Sequence, residues 1–289
     1  MSKEIFKRAM AGEAGGRIAA EVVCALGSES AAAVETLMLQ LMSEAQKLAM
    51  PAVSGFSVGA VAQGMSGALY FGANFEFADC PIDQTLHAEQ AAVVNALNAA
   101  ETGIRRLAVS AAPCGYCRQF LFELSSADEL LILLEGLAPT RLTDYLPQAF
   151  GPGDLGVTAR LMTPQNHPLS IAEQDAGYTP SAGAKAALAA ARSCYAPYTE
   201  AFAGAAITAR DGAIYRGSYV ENAAFNPSIP PMQAAVILAR LAGCTPDRFS
   251  EACVAQRSDA KIDHLKTAAI VLASLAPDLP IQHLPLTHG

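Results

Sequence analysis

Apolar positions recur at spacings of three and four through residues 31–50, where Val34, Leu37, Leu41, Ala45 and Leu48 mark one face of an amphipathic helix. The period then changes. Residues 56–63 are small and apolar, Gly64-Met65-Ser66-Gly67 follows, and 68–73 resumes the apolar run, which predicts a β-hairpin. Beyond it the pattern predicts a helix over 86–100, a strand over 107–111, a helix over 115–124 and a buried strand over 129–134. Such alternation points to an α/β layer architecture. From about 147 to 180, Gly, Pro, Asp and Gln accumulate and predict a connector.

The pattern then returns. Gly212-Ala213-Ile214-Tyr215-Arg216-Gly217 lies 145 residues after Gly67-Ala68-Leu69-Tyr70-Phe71-Gly72, and Glu221 lies 145 after Glu76. Gln233-Ala234-Ala235-Val236 follows Gln90-Ala91-Ala92-Val93 by 143. Two blocks in the same order, separated by a two-residue deletion, indicate an internal duplication. The expected organisation is an N-terminal helical segment over 1–30, a first domain over 31–150, the connector over 151–180 and a second copy over 181–289.

Composition narrows the class. Of 289 residues 52% are hydrophobic and 16% charged, a globular balance with ample material for a core. No apolar run approaches the roughly 18–20 residues that span a bilayer; candidates such as 130–134 and 268–276 are short. Residues 1–16 carry mixed charge without an apolar stretch, so a cytoplasmic location is expected. The net charge of −8 and pI near 5.1, with no Lys/Arg cluster larger than a doublet such as Arg105-Arg106, argue against a polynucleotide partner and for a small substrate. Seven cysteines form no disulfide pattern; only Cys114 and Cys117 are closely spaced.

The strongest chemical signal is His87-Ala88-Glu89 followed by Pro113-Cys114-Gly115-Tyr116-Cys117. Two cysteines three apart at a helix start share one face, and the helix N-terminus favours thiolates. With His87 they offer three zinc ligands and leave a fourth tetrahedral position for water, as catalytic sites do. Two thiolates neutralise the ion, so a base must collect the water proton, and Glu89 stands beside the set. Residues at i and i+2 diverge in mid-helix. His87 and Glu89 therefore serve one site only if the helix begins close to His87. The second copy has Pro230 and Met232 where the first has His87 and Glu89, and lacks the cysteine pair. Taken alone, a Cys-x-x-Cys is as consistent with a structural zinc site or a redox pair.

The combination H-x-E…P-C-x-x-C is the pattern of zinc-dependent deaminases. With Asn74-Phe75-Glu76, Thr85–Gln90, Pro113–Phe120 and Ala149–Pro152, the chain resembles cytidine deaminases of the two-domain, homodimeric bacterial type. The resemblance implies a three-layer α/β/α fold with a mixed sheet in each half, the second copy being degenerate. It implies one zinc per subunit on His87, Cys114 and Cys117, with Glu89 as the proton shuttle between water, N3 of the ring and the departing amine. It implies that Asn74 and Glu76 hold the ribose hydroxyls, with Phe75 and Ala88 as further substrate contacts. Phe56 matches an aromatic residue near the pyrimidine, and Phe150 one that reaches the partner subunit's active site. Tyr116, Arg118 and Gln119 are expected to shape the cysteine helix. His167, His264, His283 and His288 are expected at the surface. The substrate implied is a free cytidine-type nucleoside in pyrimidine salvage, and the second half would serve packing, dimer assembly and enclosure of the site. Two other functions stand beside this one: deamination of bases within DNA or RNA, and a zinc-stabilised assembly module without catalysis.

Overall fold

A computed structural model describes residues 16–26, 30–172 and 179–288. Most of the stretch expected as an N-terminal helical segment, 1–15 and 27–29, lies outside the described residues. The remainder forms a two-residue strand, β1 (Arg17–Ile18), and a short helix, α1 (Ala20–Ala25).

The first half follows as α2 (Ala31–Gln46), β2 (Gly59–Gly64), β3 (Leu69–Ala73), α3 (Ala88–Asn98), β4 (Ile104–Val109), α4 (Gly115–Leu121), β5 (Leu131–Leu133), β6 (Thr140–Arg141) and α5 (Leu142–Tyr145). Its strands form one six-stranded sheet in the order β1-β3-β2-β4-β5-β6. β2 runs antiparallel to β3 and β4, while β4 and β5 are parallel, so the sheet is mixed as expected. The second half comprises β7 (Leu169–Ile171), α6 (Ala182–Arg192), β8 (Ala203–Ala209), β9 (Ile214–Ser218), α7 (Pro231–Leu241), β10 (Phe249–Arg257), α8 (His264–Leu275) and β11 (Ile281–His288). These strands form a five-stranded sheet in the order β7-β11-β10-β8-β9, again mixed, with β10 and β11 parallel. β7 lies inside the stretch expected as connector: Ile171 pairs with Leu286 of β11, a distant partner that local composition does not reveal.

Glycines set how closely helices meet the sheets. A Cβ on Gly72 of β3 would stand 2.2 Å from the carbonyl oxygen of Ala88 and 2.3 Å from the amide of Ala92, both backbone of α3. Gly217 of β9 stands in the same relation to Pro231 and Ala235 of α7. On the opposite face a Cβ on Gly59 would strike Gln46 and Met42 of α2. The helices thus sandwich each sheet, giving the three-layer fold, and α3 is seated hard against β3. Gly72→Ala is expected to push α3 off the sheet and to cost about 1–3 kcal/mol, the range for overpacking a tight interior. A denaturant midpoint unchanged from wild type would show that α3 does not depend on this approach.

One hydrophobic cluster runs through both halves, joining Leu41, Phe71, Val93 and Leu107 to Val236, Leu241, Val254 and Leu272; a second, smaller one lies within the second half. His264, expected at the surface, is buried at the first position of α8, its ring 4.2 Å from that of Tyr219. His167 is half-buried and stacks on Phe202, whereas His283 and His288 are exposed as expected. Burial pushes the His264 imidazole down to about 4, and its Nε2 has no hydrogen-bond partner among the described residues. The unfolded chain therefore binds a proton before the folded one does. Stability held above pH ~6.5 is expected to fall as pH drops toward 4, by about 3 kcal/mol from this group. The difference in unfolding free energy between wild type and His264→Gln, followed across that window, measures it. A constant difference would exclude the imidazole as its source.

Candidate active site

His87 is the N-cap residue of α3, in extended conformation, and Glu89 is the second residue of that helix. The helix therefore starts where the divergence of i and i+2 requires. The side chain of Gln90 turns back, its Oε1 accepting from the His87 N–H at 3.1 Å. Cys114 is the N-cap of α4 and Cys117 lies one turn in, exposed and buried respectively. Proline at 113, which cannot donate to a helix, precedes the cap.

The two elements bring the donors together. Nδ1 of His87 lies 3.5 Å from Sγ of Cys114 and 3.3 Å from Sγ of Cys117, and all three donor atoms fall within 4.8 Å of one another. A tetrahedral zinc, with Zn–N about 2.0 Å and Zn–S about 2.3 Å, requires N···S edges of about 3.5 Å. The donors fit that ion in number, softness and spacing. Among the described residues no other group of three such side chains converges in this way. A hydrogen bond from the Cys117 thiol and another from His87 hold Cys114 down to about 3. The hydrogen bond with Cys114 in turn raises His87 against the effect of its burial. Glu89 is only 4% exposed, and its burial raises its carboxyl above the usual range.

His87, Cys114 and Glu89 floor a cavity of about 290 Å³, with Cys117 buried behind them, and its lining also includes Phe56, Asn74, Glu76 and Ala88. Asn74 and Glu76 follow β3 directly and fold the loop 51–58 over the cavity. Asn74 Oδ1 accepts from the Val58 N–H at 2.8 Å and its Nδ2 donates to the Phe56 carbonyl at 2.9 Å. Glu76 Oε2 accepts from the amides of Val53 and Ser54, both at 2.8 Å, and Oε1 accepts from the Ser54 hydroxyl at 2.6 Å. Burial works to raise Glu76, but these donors outweigh it and leave the carboxyl below its ordinary value. The plain turn-residue role and a place in the cavity wall are thus combined in both side chains.

Not every expected residue reaches the cavity. Phe75 is buried in the core with its ring 4.9 Å from Phe77, and only its backbone braces the site, bridging Met50 and Leu86. Phe150 is 46% exposed and offers its carbonyl to Gln119 at 2.8 Å. Phe56 is exposed at the cavity wall. Ser54 and Thr85 line the cavity and were not singled out by the sequence. A signal for Ser54 existed: Thr199, another hydroxyl, lies 145 residues further on, at the offset of the duplication.

Comparison with known proteins matches both halves to one family. A region described as the cytidine and deoxycytidylate deaminase zinc-binding region matches residues 33–133, and a second form of it matches 142–269. The cytidine deaminase of Photobacterium profundum is 39% identical over 86% of this chain and 82% of its own length. That of Pectobacterium atrosepticum is 43% identical over 89% and 85%, and that of a Yersinia pestis strain 47% over 72% and 69%.

Proposed function

Because the chain belongs to the cytidine deaminase family, we propose that it hydrolyses free cytidine and 2′-deoxycytidine to uridine and 2′-deoxyuridine, releasing ammonia, in nucleoside salvage. The observation that carries this is the juxtaposition, at one cavity, of a three-donor zinc set two of whose members line it, a buried carboxyl group and the Asn74–Glu76 pair. His87, Cys114 and Cys117 would hold the metal. When bound, zinc supplies Lewis acidity that lowers the pKa of a water toward about 7.

The chain's own groups do the rest. Glu89 takes one proton of the attacking water on its carboxylate and delivers it to N3 of the cytosine ring; once the water oxygen is bonded to C4, Glu89 takes the remaining hydroxyl proton and passes it to the amine, so that the C4–N bond breaks, ammonia leaves and C4 becomes a carbonyl carbon. A carboxyl raised by burial is suited to both taking and giving a proton near neutral pH. Asn74 and Glu76 grip the sugar: the carboxylate, kept ionised by Ser54 and Val53, accepts from a ribose hydroxyl, and the amide has hydrogen-bonding capacity beyond its two loop contacts. Phe56 and Ala88 complete the cavity against the base and sugar.

Polynucleotide substrates are disfavoured because at least one of the sugar hydroxyls this wall would grip is esterified in a strand, and because the chain is acidic. A homodimer accords with the large exposed rings Phe56, Phe150 and Phe225; a solution mass of about twice 30.0 kDa is expected. In that assembly Phe150 would reach the partner subunit's site. Free thiols at all seven cysteines accord with a reducing, cytoplasmic setting. Among the described residues no helix is long and apolar enough to cross a membrane.

The test is an ultraviolet assay with cytidine, repeated after chelation and after zinc is restored. Turnover should vanish and return. It should exceed that of a single-stranded oligonucleotide by orders of magnitude. Fully metallated protein that is silent toward every pyrimidine nucleoside would overturn the proposal.

A further inference from the structure

The duplication persists at the level of single hydrogen bonds. Around the cavity, Phe75 bridges Met50 and Leu86; in the second half Val220 bridges Tyr195 and Ile229. Glu221 accepts from the amides of Tyr198 and Thr199 and from the Thr199 hydroxyl, as Glu76 does from Val53 and Ser54. Segment 219–229 is therefore the counterpart of the cavity-wall segment 74–86. Yet Glu221 is 1% exposed, Pro230 caps α7 where His87 caps α3, and Asp263 caps α8. The counterpart is sealed, and among the described residues no group of three metal donors converges there.

Its polar groups are instead spent on the first half, and they converge on the two helices that carry the metal donors. The Gln90 side chain, whose oxygen holds the His87 amide, donates through Nε2 to the carbonyl of Pro227 at 3.0 Å. The Tyr116 hydroxyl donates to the carbonyl of Asn226 at 2.7 Å, while its ring stacks on His87 with centroids 5.3 Å apart. Asn222 Nδ2 donates to the carbonyl of Gln119, next but one to Cys117, at 3.0 Å. Glu123, fully buried just past α4, accepts from the Ala223 amide at 3.1 Å, from the Tyr195 hydroxyl at 2.8 Å and from the Tyr198 hydroxyl. A seven-residue helix has little stability by itself, and a metal site tolerates donor displacements of only about 0.2 Å.

We propose that segment 219–229 is a positioning brace: the vestigial substrate wall of the second half fixes α3 and α4, through Gln90, Tyr116, Gln119 and Glu123, so that His87, Cys114 and Cys117 meet a metal ion in one geometry. Gln90, Tyr116, Gln119 and Glu123 are positioning residues, and none of them is required to touch the substrate. This rests on the assignment of the three donors as zinc ligands.

The test uses the full-length zinc protein and its cobalt-substituted form. Tyr116→Phe deletes one brace bond and keeps the stacked ring; Glu123→Gln keeps the shape and sets an amide NH₂ against the Ala223 N–H. Arg240→Met, which deletes a cross-half bond from Nε to the Leu48 carbonyl away from the donors, is the control. Loss of such outer partners typically weakens metal sites about 10–100-fold. Zinc transfer to a chromogenic chelator should be about tenfold faster in the first two variants, and the thiolate-to-cobalt absorption should shift. kcat should fall while KM holds. Arg240→Met should match wild type in all three. Release rates and cobalt spectra of Tyr116→Phe and Glu123→Gln that coincide with those of wild type would overturn the brace. So would equal changes in Arg240→Met, which would mark a general loosening of the halves. The release and spectral measurements need no substrate, so a chain silent toward nucleosides would defeat the proposed function without touching them.

Discussion

Glu89→Gln is expected to retain a full complement of zinc while turnover of cytidine falls by several orders of magnitude. A single acid–base group is typically worth about 10²–10⁴-fold, and Glu89 is assigned more than one proton transfer in the same cycle. The amide matches the carboxyl in shape, so α3 should keep its start at Ala88 and His87 its place at the N-cap. What it cannot do is accept a proton at an oxygen and return it. In the wild type, burial raises the carboxyl, bringing the two protonation states closer in energy at neutral pH. Steady-state kinetics with metal analysis on the same preparation decide the matter. Nearly normal turnover would remove Glu89 from the mechanism, whereas a fully metallated wild type without turnover would favour a zinc-stabilised assembly module, which has no need of a buried base.

The second large effect belongs to Cys117. Cys117→Ala should strip the protein of zinc and of activity together. Its sulfur is buried, 3.3 Å from His87 Nδ1, and without it two donors remain, one of them the exposed Cys114. A mixed His/Cys pair does not close a tetrahedral site against competing water. Metal content after exhaustive dialysis is the measurement, and full occupancy in the alanine variant would break the ligand set. Glu89→Gln and Cys117→Ala thus separate two failures that activity alone confuses, loss of the base and loss of the ion.

The donor cluster is legible in the sequence because its parts are local. His87 and Glu89 are two apart, Cys114 and Cys117 three apart, and each pair sits at a helix start that proline and spacing announce. The hairpin, α2 and α3 are legible for the same reason, with ends moved by a few residues. β2 begins at Gly59 and not at Phe56, because Asn74 and Glu76 capture residues 53–58 as a loop. Those anchors lie 16 to 23 residues away, beyond any local pattern. β7 is hidden likewise: three residues in a Gly- and Pro-rich stretch become a strand only because β11 offers an edge. α8 and β11 fall after the last block of the repeat and carry no mark in it. His264 is isolated in the sequence, but isolation says nothing of burial; its amide donates to Gln256 at 2.8 Å and so fixes the start of a helix that faces inward.

The shared interior described above has a historical consequence. Once two copies of a gene encode a single continuous core, neither is free to be discarded, since trimming the silent one would strip α7 from the face of α3 that it packs against. Natural selection can erode the chemistry of the second copy, as Pro230 and Met232 record, but deletion is closed to it. The lineage has passed a ratchet: the duplicate persists as a dependency long after it has ceased to be a spare.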